Sequence, residues 1–170
     1  MLSFGTNLLN HSYKGKVFLR IDGKLIINGS GFHAFGPDCR INILETGTLE
    51  IGNNFTVENE SRWLISGHSI VGNDNMFSWG ISFLDTDAHP IYNEHNVRIN
   101  KPSGFLIGNN VWIGCEVTVL KGGKISDGDI VASNSIVTRP LLESNAIYIN
   151  NQLLKKNISW ERVLDSNQNL

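Results

Sequence analysis

From Ile107 to Thr138 the chain reads IGNNVW IGCEVT VLKGGK ISDGDI VASNSI VT, six residues to a block. The first positions are Ile107, Ile113, Val119, Ile125, Val131 and Val137. With Ile and Val together roughly one residue in six, six in one frame has a chance of about 10⁻⁵ per starting point. The apolar face of a helix returns at three, four and seven residues, so a strict period of six excludes one. It fits a coil with three flat sides, each a short strand with one aliphatic residue turned inward. Successive coils then stack about 4.8 Å apart through parallel strand hydrogen bonds. The fifth positions, Val111, Val117, Gly123, Asp129 and Ser135, are small or β-branched, and Gly108, Gly114, Gly122, Gly123 and Gly128 near the block boundaries suit sharp corners.

Working outward, the spacing continues upstream at Ile51 and Val57, then at Ile65, Val71, Phe77 and Phe83. The eight residues from Val57 to Ile65 break register, and a two-residue insertion at a corner restores it, because corners project outward and tolerate extra residues. Leu25, Ile27, Ile41, Ile43 and Leu49 suggest earlier, less regular coils. Downstream, residues 141–170 lose the ladder. Ile147, Ile149, Leu153, Leu154, Ile158 and Val163 predict a last strand and a short helix from about Trp160, capping an end that would otherwise expose unpaired backbone. The fold class expected is all-β, a parallel β-helix of six-residue repeats, as a single domain over 1–170.

The chain is 41% hydrophobic and 18% charged with a formal net charge of −2, the balance of a soluble globular domain. No excess of Lys and Arg is present to hold a phosphate backbone, which argues against nucleic acid as a partner. The first ten residues carry no basic stretch followed by an apolar core, and no run of 18 apolar residues occurs. A cytoplasmic protein without a membrane span is therefore expected. Cys39 and Cys115 are too few and too far apart for a disulfide framework and read as free thiols.

Between Phe83 and Ile107 the ladder stops and LDTDAHPIYNEHNVRINKPSGFL intervenes. More than about 15 residues without period inside a compact fold is more often functional than idle, and residues 85–106 hold Asp85, Asp87, His89, Glu94 and His95. An imidazole near pKa 6.5 accepts a proton from a weakly acidic hydroxyl as a bond forms, so His89 is the candidate general base. In an extended segment Asp85, Asp87 and His89 share one side. Either carboxylate is then available to orient the ring, as a triad acid does.

The stretch DTDAHPIYNEHNVRINKPSGFLIGNNVWIG, followed by LKG and NSIVT, resembles the hexapeptide-repeat O-acetyltransferases that modify capsular and lipopolysaccharide sugars, relatives of the maltose and galactoside acetyltransferases. The resemblance spans roughly residues 50 to 162. It rests most on Asp87 and His89, Ile91 and Tyr92, Ile99 and Asn100, and Ile107 through Gly114. It implies a left-handed β-helix and transfer of acetyl from acetyl-CoA to a sugar hydroxyl, with His89 as base; Asp87, read from its spacing to His89, joins it as the catalytic candidate. No metal is expected. It also implies a homotrimer with active sites between subunits, acting on a small-molecule or oligosaccharide acceptor. For the donor it implies Gly114, Cys115, Ala132 and Ser133 along the pantetheine arm, Thr138 and Arg139 near the adenine, and Lys155 and Lys156 toward phosphate. The tail departs from the family's Gly-Asn-Pro-Ala-Lys, reading Asn150, Asn151, Gln152, Leu153 and Leu154 before Lys155.

Three other readings compete. An N-acetyltransferase of a nucleotide-linked amino sugar shares fold and donor. A γ-class carbonic-anhydrase-like enzyme needs three converging histidines, with His68 as third beside His89 and His95. A non-catalytic scaffold would lack use for the loop. His11, His33 and His68 are read as structural or solvated, and Phe77, Phe83, Trp79 and Trp112 as packing groups.

Overall fold

The computed structural model describes residues 1–5 and 15–162. Its nineteen strands form three sheets, which are the three faces of one left-handed parallel β-helix. Face one stacks Leu2–Phe4, His33–Phe35, Phe55–Val57, Met76–Phe77, Trp112–Ile113, Ile130–Val131, Ile147–Ile149 and, antiparallel at its end, Gln152–Lys155. Face two stacks Phe18–Ile21, Arg40–Ile43, Arg62–Ile65, Ser82–Leu84, Thr118–Leu120 and Ile136–Val137. Face three stacks Lys24–Ile27, Thr48–Ile51, His68–Val71, Leu106–Ile107 and Lys124–Ile125.

Register turns the six-residue ladder into columns. Val57, Phe77, Ile113 and Val131 stand in line on face one, Trp63, Phe83, Val119 and Val137 on face two, and Ile51, Val71, Ile107 and Ile125 on face three. All are buried. The lower coils fill the interior with Ile and Val, whereas the upper coils fill it with rings: Trp63 stacks on Phe83 at 3.9 Å, and Phe83 lies 5.3 Å from Phe105. Such pairs add about 0.5–1.5 kcal/mol each beyond burial.

Three sequence expectations need correction. Trp63 occupies the ladder position six residues after Val57, so the register break falls after Trp63. There Ile65 supplies a second inward residue before the turn at Ser66 and Gly67. The corners are mostly not glycine. Left-handed φ is taken by Asn54, Asp74, Asn110, Glu116 and Asn134, and of the five lower glycines singled out only Gly122 and Gly128 adopt it. Asn and Asp tolerate that region because their short polar side chains bond locally. The residues just before these corners form a ladder: Asn53 N donates to Asn73 Oδ1 at 2.8 Å, Asn73 N to Asn109 Oδ1 at 2.8 Å, and Asn109 N to Asp127 Oδ1 at 2.7 Å. Gly114 instead allows close approach, since a Cβ there would lie 2.7 Å from Ser133 N.

The third correction concerns the cap. The lower end is closed by a β-hairpin, Ile147–Ile149 against Gln152–Lys155, turning through Asn150 and Asn151, both with positive φ. Two such residues in a two-residue loop match the twist of the paired strands. The described residues contain no helix. Trp160 and Arg162 lie instead in a strap that climbs the left-handed corner. Ile158 N donates to Asn145 O at 2.9 Å, Trp160 Nε1 to Asn110 O at 2.8 Å and Arg162 Nη2 to Asn75 O at 2.5 Å. The tail thus covers corner carbonyls, adding a second donor to Asn75 O, which also accepts from Thr56 N of the coil above. Val163 onward, the rest of the expected helix, lies outside the described residues, as does His11. His33 is buried with Nε2 2.9 Å from Gly52 O, and Trp79 and Trp112 sit on the outside, Trp112 against Trp160 with centroids 5.9 Å apart.

Candidate active site

The loop leaves the column where face two turns toward face three. Asp85 stands in line with the inward Ile43 and Ile65 of the coils above. A buried carboxylate needs partners, and this one has three: Oδ1 accepts from Ser66 N at 2.7 Å, and Oδ2 from Gly67 N at 3.0 Å and Ser69 Oγ at 2.8 Å. Ser103 N closes the neck on Asp85 O at 3.0 Å. Asp85 therefore fastens the loop to the coil above, and its oxygens face the interior rather than His89.

Beyond the neck, Asn100 is the centre of the loop. Buried to 5% exposure, it donates from Nδ2 to Asp87 Oδ2 and to His89 O, both at 2.8 Å, and accepts Ile91 N on Oδ1 at 2.6 Å. His89 N donates to Asp87 O at 2.6 Å. Asp87 is tied in turn to the column by an ion pair with Lys121, the residue after the strand Thr118–Leu120. The bond from Lys121, then that from Asn100, holds the Asp87 carboxyl below the usual carboxylate range. The backbone of His89 is thus gripped from both sides while its ring is exposed. Among the described residues the Asp87 carboxylate engages Lys121 and Asn100, not the His89 ring.

The loop then forms a hairpin, Tyr92 bridged to Arg98, with Asn93 N donating to Val97 O at 3.0 Å and Ile99 N to Ile91 O at 2.9 Å. Its arm exposes Ile91, Tyr92, Val97 and Ile99. His95, at its tip, lies 3.6 Å from Glu94, and His68, on face three, lies 2.6 Å from Glu50, so His68, His89 and His95 do not converge.

On face two below the loop lies a cavity of about 470 Å³ with an apolar floor of Leu64, Leu84 and Leu120 and a rim of Asp87, Lys121 and Thr138. At one end of this face is the corner where Gly114 and Cys115 stack on Ala132 and Ser133, with Cys115 Sγ 3.3 Å from Ser133 Oγ. At the other end are Thr138 and Arg139, both exposed, where Asn151 Oδ1 accepts Thr138 N at 2.9 Å. Face two therefore connects the predicted pantetheine residues to the loop. Lys155 and Lys156 lie elsewhere. Lys155 pairs opposite Ile147, at the end of the hairpin remote from that corner, and Lys156 is held by Glu143 at 2.6 Å. Sequence reasoning left Asn100 and Lys121 without roles, although both fall in the quoted stretches.

No protein-family model matches the chain. Among curated proteins it is 37% identical over 86 residues to a polysialic acid O-acetyltransferase of Neisseria meningitidis, covering 50% of this chain and 37% of that one. To the galactoside O-acetyltransferase of Escherichia coli (strain K12) it is 30% identical over 96 residues, 55% and 46% of the two chains. The chain thus spans less than half the length of these relatives. A 24.8 kDa protein of the cps region of Klebsiella pneumoniae, itself uncharacterised, is 30% identical over 163 residues, 94% of this chain and 71% of its own. Among solved structures, the polySia-specific acetyltransferase NeuO superposes with a TM-score of 0.64 at 21% identity, covering 98% and 87% of the two chains, and so shares the fold. With its ladder, its loop and its likeness to these O-acetyltransferases, the chain belongs to the hexapeptide-repeat, left-handed β-helix family.

Proposed function

We propose that this protein transfers acetyl from acetyl-CoA directly to a hydroxyl of a sugar or polysaccharide, with His89 as general base. The observation that carries this is the exposed His89 ring on a backbone clamped by Asn100 and Asp87, above a face that leads to the small-residue corner at Gly114 and Ser133. That the relatives are named for O-acetylation of polysialic acid and of galactosides supports a sugar hydroxyl as acceptor.

In this scheme His89 takes the hydroxyl proton as the oxygen attacks the thioester carbonyl. The tetrahedral intermediate collapses by breaking the carbon–sulfur bond, and the imidazolium returns its proton to the departing thiolate. Gly114, Cys115, Ala132 and Ser133 hold the pantetheine arm, where the absence of bulk lets it reach backbone amides. Thr138 and Arg139 lie toward the loop end of face two. Lys155 and Lys156 serve phosphate only if that groove is completed from another subunit. Four exposed apolar side chains on the hairpin arm, Ile91 to Ile99, support burial against a second copy and hence a closed homotrimer with sites between subunits.

The test is thiol release from acetyl-CoA with a panel of sugars, oligosaccharides and nucleotide-linked amino sugars, for wild type and His89→Ala. A rate loss of about 10² to 10⁴ with donor binding retained is expected. Normal turnover by the variant removes His89 from the mechanism, and transfer confined to amino groups replaces the hydroxyl acceptor.

A further inference from the structure

On the other side of the loop's base, between the turns of faces two and three, is a second cavity of about 590 Å³, within the range of about 300–1,000 Å³ typical of small-ligand sites. Its wall carries Arg98 and Lys101 from the loop, Thr46 and Ser66 from two successive turns, and Ala88, which also lines the first cavity and precedes His89. Neither cation has an ion-pair partner among the described residues, and Arg98 Nε is buried with no hydrogen bond. The neighbouring acids are already committed. Asp87 bonds to Lys121 and Asn100 and meets Arg98 only through space, and Asp85 faces inward to three donors. Arg98 is half-buried and Lys101 exposed, so two cations line this wall without a carboxylate of the described chain paired to either.

We infer that this cavity binds the carboxylate of an acidic sugar, with Arg98 and Lys101 as its anion-holding pair, and that the acceptor of the proposed reaction is an anionic saccharide. The guanidinium fork matches a carboxylate's two oxygens. The Ser66 hydroxyl, 3.4 Å from Thr46 Oγ1, is available to sugar hydroxyls. Ala88 on the cavity wall immediately precedes His89, and Asn100, between the two cations in sequence, bonds to His89 O, which ties the cavity to the loop segment that carries the base. The acceptor assignment rests on His89 acting in sugar acetylation; the binding site does not. A phosphate of CoA carries the same kind of charge, and the acetyl-CoA affinity of Arg98→Gln distinguishes the two sources.

Two probe pairs test it on the full chain by calorimetry: N-acetylneuraminic acid against its methyl ester, and glucuronic acid against glucose. The acid of at least one pair should bind tenfold or more tighter than its neutral partner. Arg98→Gln and Lys101→Gln should each abolish most of that preference, Arg98→Lys should restore part of it, and acetyl-CoA affinity should not change. Equal binding within both pairs, or preference that survives both substitutions, overturns the site. So does a tenfold loss of acetyl-CoA affinity in Arg98→Gln with sugar binding intact, which would assign the cavity to a CoA phosphate. Thiol release separates the two readings: preference without transfer leaves the site standing and sinks the proposed reaction, whereas equal transfer to neutral sugars by wild type and Arg98→Gln does the reverse.

Discussion

Asn100→Ala is the most informative change in the loop. It removes three hydrogen bonds made by a nearly buried side chain: to the ionised Asp87, to His89 O and from Ile91 N. Neutral bonds contribute about 0.5–1.5 kcal/mol and one to a charged group about 1.5–3, so the clamp should weaken by roughly 3 kcal/mol. That is about a hundredfold in the equilibrium between clamped and open loop. Global stability should hardly move, because the neck is fastened independently by Asp85 to Ser66, Gly67 and Ser69. Hydrogen exchange is the direct assay. The amides of His89, Ile91 and Ile99 should lose protection by about two orders of magnitude, while those of Val119 and Val137 in the column keep theirs. Turnover should fall with them, since an imidazole misplaced by about 1 Å costs on the order of a hundredfold. Unchanged exchange at His89 and Ile91 would refute the clamp. Faster exchange with full turnover would show that His89 needs no fixed backbone.

Two further outcomes follow from charge. Asp129 is buried, and burial pushes its carboxyl up to about 7 despite hydrogen bonds from Ala146 N and Ser126 N. With the folded value above the unfolded one, its protonated form stabilises the fold below about pH 4, and that contribution is lost as pH rises to about 7. Relative to wild type, Asp129→Asn should therefore gain stability between pH 5 and pH 8 by up to a few kcal/mol, read by denaturant melts at both pH values; a constant difference would show that the carboxyl titrates normally. At the loop, Asp87 should titrate below the usual carboxylate range by carbon NMR and move up in Lys121→Gln, because the lysine is the first cause of its depression. No movement would mean that Asn100 and Arg98 set it without the lysine.

The lower column was legible because one physical requirement repeats every six residues: an aliphatic side chain points inward on each face. Where the interior is aromatic the same requirement is met by Trp63, Phe77 and Phe83, and the rule written for Ile and Val skipped Trp63 and misplaced the insertion. The corners misled for a related reason. Glycine is the default where φ is positive, but the left-handed Asn54 and Asp74 reach across coils, Asn54 accepting from Phe32 N and donating to Asp74, bonds that glycine would forgo. Asp85 joins these two lessons. By spacing it was an equal candidate with Asp87 to orient His89, yet it falls on an inward ladder position, and only the pairing of Leu84 with Leu64 reveals that. The tail gave no period at all, because a hairpin and a strap are defined by partners at Asn145, Asn110 and Asn75, up to 87 residues away. Asn100 was hidden for the opposite reason. Its partners Asp87, His89 and Ile91 are all within one loop, but loop geometry has no repeat to announce it. What marks a residue as part of the site is therefore not its chemistry alone but its departure from the ladder, and Asn100, Lys121 and Arg98 become readable only once the column around them is known.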